Sequence, residues 1–118
     1  MPAPKVLIVE DDVIIAFGYV HVLENQSYEI LGTAGSNAQA LKLLHECSPD
    51  VALLDVNLNG EESEPVASAL ANLGVPFLVL TATPSASISG SNLRSAPMLT
   101  KPVSDASLVE ALRDIKHF

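Results

Sequence analysis

The chain of 118 residues carries a formal net charge of −8 at pH 7, and 48% of its residues are hydrophobic. This apolar content excludes a disordered chain, while no apolar run approaches the roughly 18 residues that cross a membrane. The acidic balance argues against direct binding to nucleic acid or to an anionic membrane surface.

The length and the single cysteine set further bounds. A chain of this size fits one domain, and we expect that domain to span residues 1–118. Cys47 has no partner for an intrachain disulfide, and the N-terminus lacks the layout of a signal peptide. A reducing cytoplasm is therefore the expected compartment.

Apolar runs alternate with helical patterns along the chain. Strands are predicted over residues 6–9, 28–33, 51–55, 77–80 and 98–100. Helices are predicted after the cap Asp12, over residues 36–46, over residues 62–73, and after the cap Ser104. Their predicted buried positions follow helical spacing: Val13, Ala16, Phe17, Val20 and Leu23 in the first helix, Ala40, Leu41 and Leu44 in the second, Val66, Ala69, Leu70 and Leu73 in the third, and Leu108, Ala111, Leu112 and Ile115 in the last.

This alternation predicts the fold class. Parallel strands joined by helical crossovers accommodate it economically, so we predict an α/β protein with a five-stranded parallel sheet in a three-layer α/β/α sandwich. In such a sheet the carboxyl ends of the strands lie along one edge, and ligands bind at that edge.

Ionisable and hydroxyl residues stand at the ends of the predicted strands. Glu10 and Asp11 follow the first strand, Asp55 ends the third, and Thr81 and Lys101 follow the fourth and fifth. Three carboxylates this close would raise one another's pKa unless a cation neutralised them, and oxygen ligands favour Mg²⁺. Lys101 and Thr81 could then hold phosphoryl oxygens. Each residue alone has an ordinary interpretation as a cap or loop residue, but together they predict a site that places a phosphoryl group on Asp55.

These motifs resemble the receiver domain of two-component response regulators. The matching segments are residues 7–12 (LIVEDD), 53–58 (LLDVNL), 80–82 (LTA) and 100–102 (TKP), in the family's order and at nearly its spacing. The resemblance implies a CheY-like, flavodoxin-like sheet with the order 2-1-3-4-5, and a cis bond between Lys101 and Pro102.

The resemblance also implies a set of metal ligands. Asp55 is the phosphoacceptor, and Glu10 and Asp11 stand at the acidic-pair positions that bind Mg²⁺ together with Asp55. The backbone carbonyl of Asn57 matches the remaining protein ligand.

The implied activity is in-line transfer to Asp55 from a phosphohistidine of a sensor histidine kinase or a histidine phosphotransfer protein. Lys101 is the phosphate partner, which stabilises the developing charge together with Mg²⁺. The domain catalyses only its own phosphorylation and dephosphorylation. Thr81, the switch hydroxyl, would then move toward the phosphoryl group and shift the population toward a surface that binds a downstream protein target.

Three features depart from the family pattern. Met98 stands where an aromatic switch residue is usual, Asn59 replaces a common proline, and residues 85–96 are serine-rich. Residues 55–61 resemble a subgroup of single-domain receivers that lacks the aromatic switch, although its Phe-Ala-Thr-Gly-Tyr signature is not reproduced at residues 79–83. We expect residues 85–96 to be mobile and to order partly on phosphorylation or partner binding; the alternative is an ordinary helix held by its neighbours.

Two other functions compete with this one. A receiver-like adaptor would bind its partner without being phosphorylated. A phosphatase of the haloacid dehalogenase type also uses a strand-end aspartate, but it needs a second acid two residues later, where this chain has Asn57. Since every residue of the phosphoryl-transfer chemistry is present, the phosphorylated switch is the preferred hypothesis.

Overall fold

A computed structural model describes residues 3–82 and 84–116. The strands in this part of the chain are β1 (Lys5–Val9), β2 (Glu29–Ala34), β3 (Val51–Asp55), β4 (Asn57–Leu58), β5 (Glu61–Glu62), β6 (Phe77–Thr81) and β7 (Met98–Thr100). The α-helices are α1 (Val13–Asn25), α2 (Asn37–Glu46), α3 (Glu64–Leu73), α4 (Ser91–Ser95) and α5 (Asp105–Lys116), with a 3₁₀ turn at Ser85–Ser87. The predicted domain also includes residues 1–2, 83 and 117–118, which lie outside the described residues.

The main sheet is parallel and has five strands in the order β2-β1-β3-β6-β7. Strands β4 and β5 form a separate antiparallel ribbon, in which Asn57 lies opposite Glu62 and Leu58 opposite Glu61. With the ribbon set aside, the order is the predicted 2-1-3-4-5, and the predicted fold class is confirmed. The ribbon was predicted as a polar loop, because strands of two residues are too short to show periodicity.

The core lies in two apolar clusters, one on each face of the sheet. Alternate residues of β1 belong to opposite clusters: Leu7 and Val9 to one, Val6 and Ile8 to the other. Helices α2, α3 and α4 contribute to the first cluster, and α1 and α5 to the second. Strand β3 is buried over its whole length, so it fixes the position of its last residue, Asp55.

The predicted buried faces of the helices are only partly correct. In α1, Ala16 and Leu23 are buried, but Val13 is 80% exposed and Phe17 is 74% exposed. The predicted core residues Leu41 and Leu73 are exposed as well. Helix α1 has apolar residues around most of its circumference, so spacing alone could not identify the stripe that meets the sheet.

The predicted caps of the first and last helices agree with the structure, whereas the predicted start of the third helix does not. Asp12 accepts hydrogen bonds from the N–H groups of Ile14 and Ile15 at 2.9 and 3.2 Å, and the Ser104 hydroxyl accepts one from Ser107 at 3.1 Å. The third helix begins at Glu64 instead of residue 62, because Pro65 favours the first turn of a helix. The bond between Lys101 and Pro102 is cis, as the resemblance implied.

The weak region at residues 85–96 contains a short helix. Helix α4 has five residues, and Ile88 and Leu93 anchor the segment in the core. Its mobility stays a prediction. Within residues 3–82 and 84–116, none of the helices has the length and apolar character needed to span a bilayer.

Candidate functional site

Asp55 lies at the carboxyl edge of the sheet, where β3 ends. Its side chain is 8% exposed, and the Ser63 hydroxyl donates to its backbone carbonyl oxygen at 2.6 Å. The Ser63 N–H donates to the carbonyl of Val56 at 2.8 Å, and Ser63 itself is fully buried. The chain just after Asp55 is therefore fastened to the start of α3, which holds the carboxylate in place.

Three carboxylates meet at this edge. Glu10, Asp11 and Asp55 each offer one oxygen, and these oxygens lie within 4.8 Å of one another. Glu10 is held at the end of β1 because its N–H donates to the carbonyl of Ala34 on β2 at 2.9 Å. The structure thus brings together the three acids that the sequence placed on two different strands.

Lys101 supplies the positive charge of the cluster. Its Nζ atom lies 2.9 Å from Glu10 Oε1 and 3.0 Å from Asp55 Oδ2, so it bridges the first and third strands. The backbone N–H of Lys101 donates to the carbonyl of Thr81 at 2.8 Å, which fixes the start of the lysine next to the end of β6. With all four groups ionised, three carboxylates and one ammonium leave a net charge of −2. A divalent cation would neutralise that charge, and the oxygen donors suit Mg²⁺.

The crowding of charges changes the pKa values of the cluster. Burial, followed by a hydrogen bond with Asp55, raises the pKa of Glu10 from 4.5 to about 7, although Lys101 acts in the opposite direction. Burial would lower the pKa of Lys101, but its hydrogen bonds to the two carboxylates outweigh burial and hold that pKa above its usual range. Without a bound cation, a proton on Glu10 therefore relieves part of the repulsion near neutral pH.

Asp11 is bound from the loop that follows Asp55. The N–H of Asn59 donates to Asp11 Oδ2 at 3.0 Å. Partial burial acts to raise the pKa of Asp11, but hydrogen bonds with Glu10 and with the Asn59 N–H outweigh burial and hold it below its ordinary value. Asn59 can make this contact because it is not proline, so the departure from the family pattern supplies a donor to the site.

The same loop has an unusual backbone. Asn59 has a φ of 54° and Gly60 a φ of 90°. The N–H of Gly60 donates to the side-chain oxygen of Asn57 at 2.7 Å, which closes the turn. Asn57 therefore begins a closed turn, and Asn59 in that turn contacts Asp11. The role of its backbone carbonyl as a metal ligand stays a prediction.

Thr81 ends β6 at the same edge and is buried. Asp55 pairs with Leu80 in the sheet register, so Thr81 lies one residue beyond the position opposite Asp55. A cavity of about 310 Å³ lies between Thr81 and Met98, which takes the place of an aromatic switch residue. Met98 is half-buried and packs against the core cluster.

All the predicted site residues, namely Glu10, Asp11, Asp55, Asn57, Thr81 and Lys101, lie at or just beyond the carboxyl edge of the main sheet. Sequence reasoning missed Ser63 and the Asn59 N–H, which position the site. Pro65 was a signal that could have pointed to Ser63, because proline favours the first turn of a helix and so marks a helix start directly after Ser63. A backbone donor such as that of Asn59 leaves no signal in the residue type.

The fold and the acidic edge define a class of signalling protein. The chain belongs to the response regulator receiver domain family, whose family model matches residues 6–113. It is a response regulator receiver, which is a signalling domain and not a member of a conventional enzyme family.

Individual relatives cover nearly all of this chain. The transcriptional regulatory protein PdtaR of Mycobacterium tuberculosis is 31% identical over 111 residues, which cover 92% of this chain and 54% of PdtaR. The phyllosphere-induced regulator PhyR of Methylorubrum extorquens is 28% identical over 119 residues, covering 98% of this chain and 45% of PhyR. The solution structure of SdrG from Sphingomonas melonis Fr1 matches with a TM-score of 0.81 and 37% identity, covering 96% of each chain. The chain spans about half the length of the curated relatives it matches.

Proposed function

We propose that residues 1–118 form one receiver domain that is phosphorylated on Asp55 and thereby switches its protein contacts. The observation that supports this most directly is the position of Lys101 Nζ, 3.0 Å from Asp55 Oδ2 and 2.9 Å from Glu10 Oε1. A lysine bound to the acceptor carboxylate is placed to contact a phosphoryl oxygen once Asp55 carries the group.

The reaction is an in-line phosphoryl transfer. The P–N bond of a phosphohistidine breaks while a P–O bond forms to a carboxylate oxygen of Asp55, and the imidazole leaves with the electron pair and takes a proton. Lys101 stabilises charge on the phosphoryl oxygens, and the hydroxyl of Thr81 binds the product. Attack by water on the acyl phosphate later returns the domain to its resting state, so the domain catalyses only its own phosphorylation and dephosphorylation.

The acidic cluster is the place for a metal ion. Glu10, Asp11 and Asp55 would hold Mg²⁺ with their carboxylates, and Asn57 with its backbone carbonyl. When bound, the ion would supply positive charge to the phosphoryl oxygens. The net charge of −2 on the cluster supports this assignment, because a divalent cation would neutralise it.

The donor is a sensor histidine kinase or a histidine phosphotransfer protein, and it docks on the N-terminal turns of α1. Three large apolar side chains there are exposed: Val13 by 80%, Ile14 by 84% and Phe17 by 74%. Val13 and Phe17 line the same cavity as Glu10 and Asp11, so a helix packed on them would bring its histidine close to the acceptor site.

The phosphorylated domain acts on a downstream protein, not on nucleic acid or membrane. The net charge of −8 supports this part of the proposal, because it repels polyanions. A phosphohistidine donor and the lone Cys47 both fit the cytoplasm as the place of action.

Incubation with acetyl phosphate and Mg²⁺, followed by measurement of the intact mass, tests the proposal. The wild type should gain one phosphoryl group, and Asp55→Asn and a wild-type sample with EDTA should gain none. An unlabelled wild type, or equal labelling of Asp55→Asn, would refute the phosphorylated switch and favour the adaptor that binds its partner without modification.

A further inference from the structure

Two glutamates hold the segment from Ser89 to Leu93: Glu62, at the end of β5, and Glu64, the first residue of α3. Glu62 accepts from the N–H of Ser89 at 2.9 Å and from that of Gly90 at 2.7 Å. Glu64 accepts from the N–H groups of Asn92 at 3.2 Å and Leu93 at 3.1 Å, and from the Asn92 side chain at 2.7 Å. Two carboxylates therefore bind four backbone N–H groups at the start of α4.

These contacts compensate for a weak sequence. Helix α4 has only five residues, SNLRS, and serine and asparagine have low helix propensity. So short a helix does not form by itself in water. The buried side chains of Ile88 and Leu93 fix two points of the segment, and the carboxylates satisfy the backbone between them.

The fit around Gly90 is close. A Cβ atom at this position would overlap the Glu64 side chain. Gly90 is buried and has a φ of −69°, which any residue can adopt, so the requirement for glycine comes from the carboxylate and not from the backbone. An acidic residue in the first turn of α3 would by itself be ordinary, but Glu64 directs both of its oxygens to α4.

The glutamates also connect to the phosphorylation site. Glu62 is in β5 and pairs with Asn57, two residues beyond Asp55. The turn between β4 and β5 contains Asn59, whose N–H binds Asp11. One ribbon thus contacts the acidic cluster at its turn and the α4 segment at its end.

We propose that Glu62 and Glu64 form an acidic latch that folds the segment 89–93 and couples its position to the loop that follows Asp55. The coupling to phosphorylation rests on the proposed function; the folding of the segment by the latch does not. The latch connects Asp55 to the α4 surface through β4 and β5. This route does not use the aromatic switch position on β7, where this chain has Met98.

Amide hydrogen exchange of the unphosphorylated protein, read by NMR, tests the latch. In Glu62→Ala/Glu64→Ala, the N–H groups of Ser89, Gly90, Asn92 and Leu93 should exchange at least about tenfold faster than in the wild type, because they lose their acceptors. Glu61→Ala, at an exposed position of the same ribbon, should leave them unchanged. Gly90→Ala disrupts the latch without removing a carboxylate, so it should speed up hydrogen exchange at the same amide groups. Slow exchange in β1 and β3 shows that a variant is folded.

Unchanged exchange at residues 89–93 in both the double variant and Gly90→Ala, with the sheet intact, would overturn the latch. Repeating the measurement with acetyl phosphate and Mg²⁺ tests the coupling. In the wild type, exchange should change at residues 57–62 and at 89–93; in the double variant it should change at 57–62 only. A change at 89–93 that persists in the double variant would overturn the coupling. If the wild type gains no phosphoryl mass, the proposed function is refuted. The latch is then still tested by amide exchange in the unphosphorylated wild type and variants.

Discussion

Replacing Glu10 with glutamine should stabilise the protein near neutral pH when no divalent cation is present. Glu10 is 4% exposed and lies beside two other carboxylates, and its pKa is raised from 4.5 to about 7. Glutamine removes the charge but keeps an oxygen that can accept the hydrogen bond from Lys101. The substitution therefore removes the cost of a buried charge and retains the favourable contact.

The raised pKa fixes the sign of the effect on stability. Between pH 4.5 and about 7, the folded protein keeps a proton on Glu10 that the unfolded chain has already lost, so stability falls as pH rises through this window. The difference between the two pKa values corresponds to a few kcal/mol, since one pH unit is about 1.4 kcal/mol. The contact with Lys101, which favours the ionised carboxylate, offsets part of this cost, so we expect an effect of about 1 to 2 kcal/mol. Relative to the wild type, Glu10→Gln should therefore have a free energy of unfolding higher by that amount at pH 7.5, and little changed at pH 4.5.

Urea unfolding of wild type and Glu10→Gln in EDTA, at pH 4.5 and 7.5, measures the difference. Glu110→Gln, at an exposed position of α5, is the matched control and should show no such gain. Mg²⁺ at about ten times its Kd should raise the free energy of unfolding of the wild type by about 1.4 kcal/mol, and that of Glu10→Gln by less, because the variant has one carboxylate fewer. A Glu10→Gln protein no more stable than the wild type at pH 7.5, or equally favoured at both pH values, would refute the reasoning.

Three other substitutions test separate features. Asn59→Pro should lower the free energy of unfolding in urea by about 2 kcal/mol, because proline lacks the N–H that binds Asp11 and cannot adopt a φ of 54°. Asn59→Gly keeps the N–H and can adopt this φ, so its stability should stay within about 0.5 kcal/mol of the wild type. Equal stability of the two variants would contradict this. Phe17→Ala should slow phosphorylation by a phosphohistidine protein by about tenfold, but it should leave labelling by acetyl phosphate unchanged. A similar loss with both donors would argue against docking on α1. Asp12→Ala should cost about 1 kcal/mol in urea unfolding through the lost cap of α1, and an unchanged midpoint would show that the cap contributes nothing.

The sheet was predictable because its strands give strong local signals. The run from Val51 to Leu54 is wholly apolar and ends at a charged residue, which is the pattern of a buried parallel strand. Once the strands are parallel, their ends must share one edge, which places Glu10, Asp55 and Lys101 on the same side of the sheet; the strand order that brings them close was implied by the family resemblance. The sequence could not provide the distances or the pKa of Glu10, which depend on burial.

The contacts made by backbone donors were not predictable. Asn59 binds Asp11 through its N–H, a group that every residue except proline has, so the residue type carries little information about the contact. The two-residue strands around it were missed for a related reason, since pairing of Asn57 with Glu62 depends on the turn geometry. Glu62 and Glu64 stand at the start of the helix predicted over residues 62–73, and only the fold brings residues 89–93 to them.

The errors in α1 have a physical cause that bears on function. Helical spacing predicted that Val13 and Phe17 would be buried together with Ala16 and Leu23, because all four are apolar. The helix has two apolar faces: one packs on the sheet, and the other lies in solvent next to the acidic cluster. A single exposed apolar residue needs no explanation, but Val13, Ile14 and Phe17 share one end of a helix, and Val13 and Phe17 line a cavity with Glu10 and Asp11. The apolar pattern of α1 therefore mixes residues that pack in the core with residues that the proposed phosphodonor would contact, and only the burial of each side chain in the folded domain distinguishes the two sets.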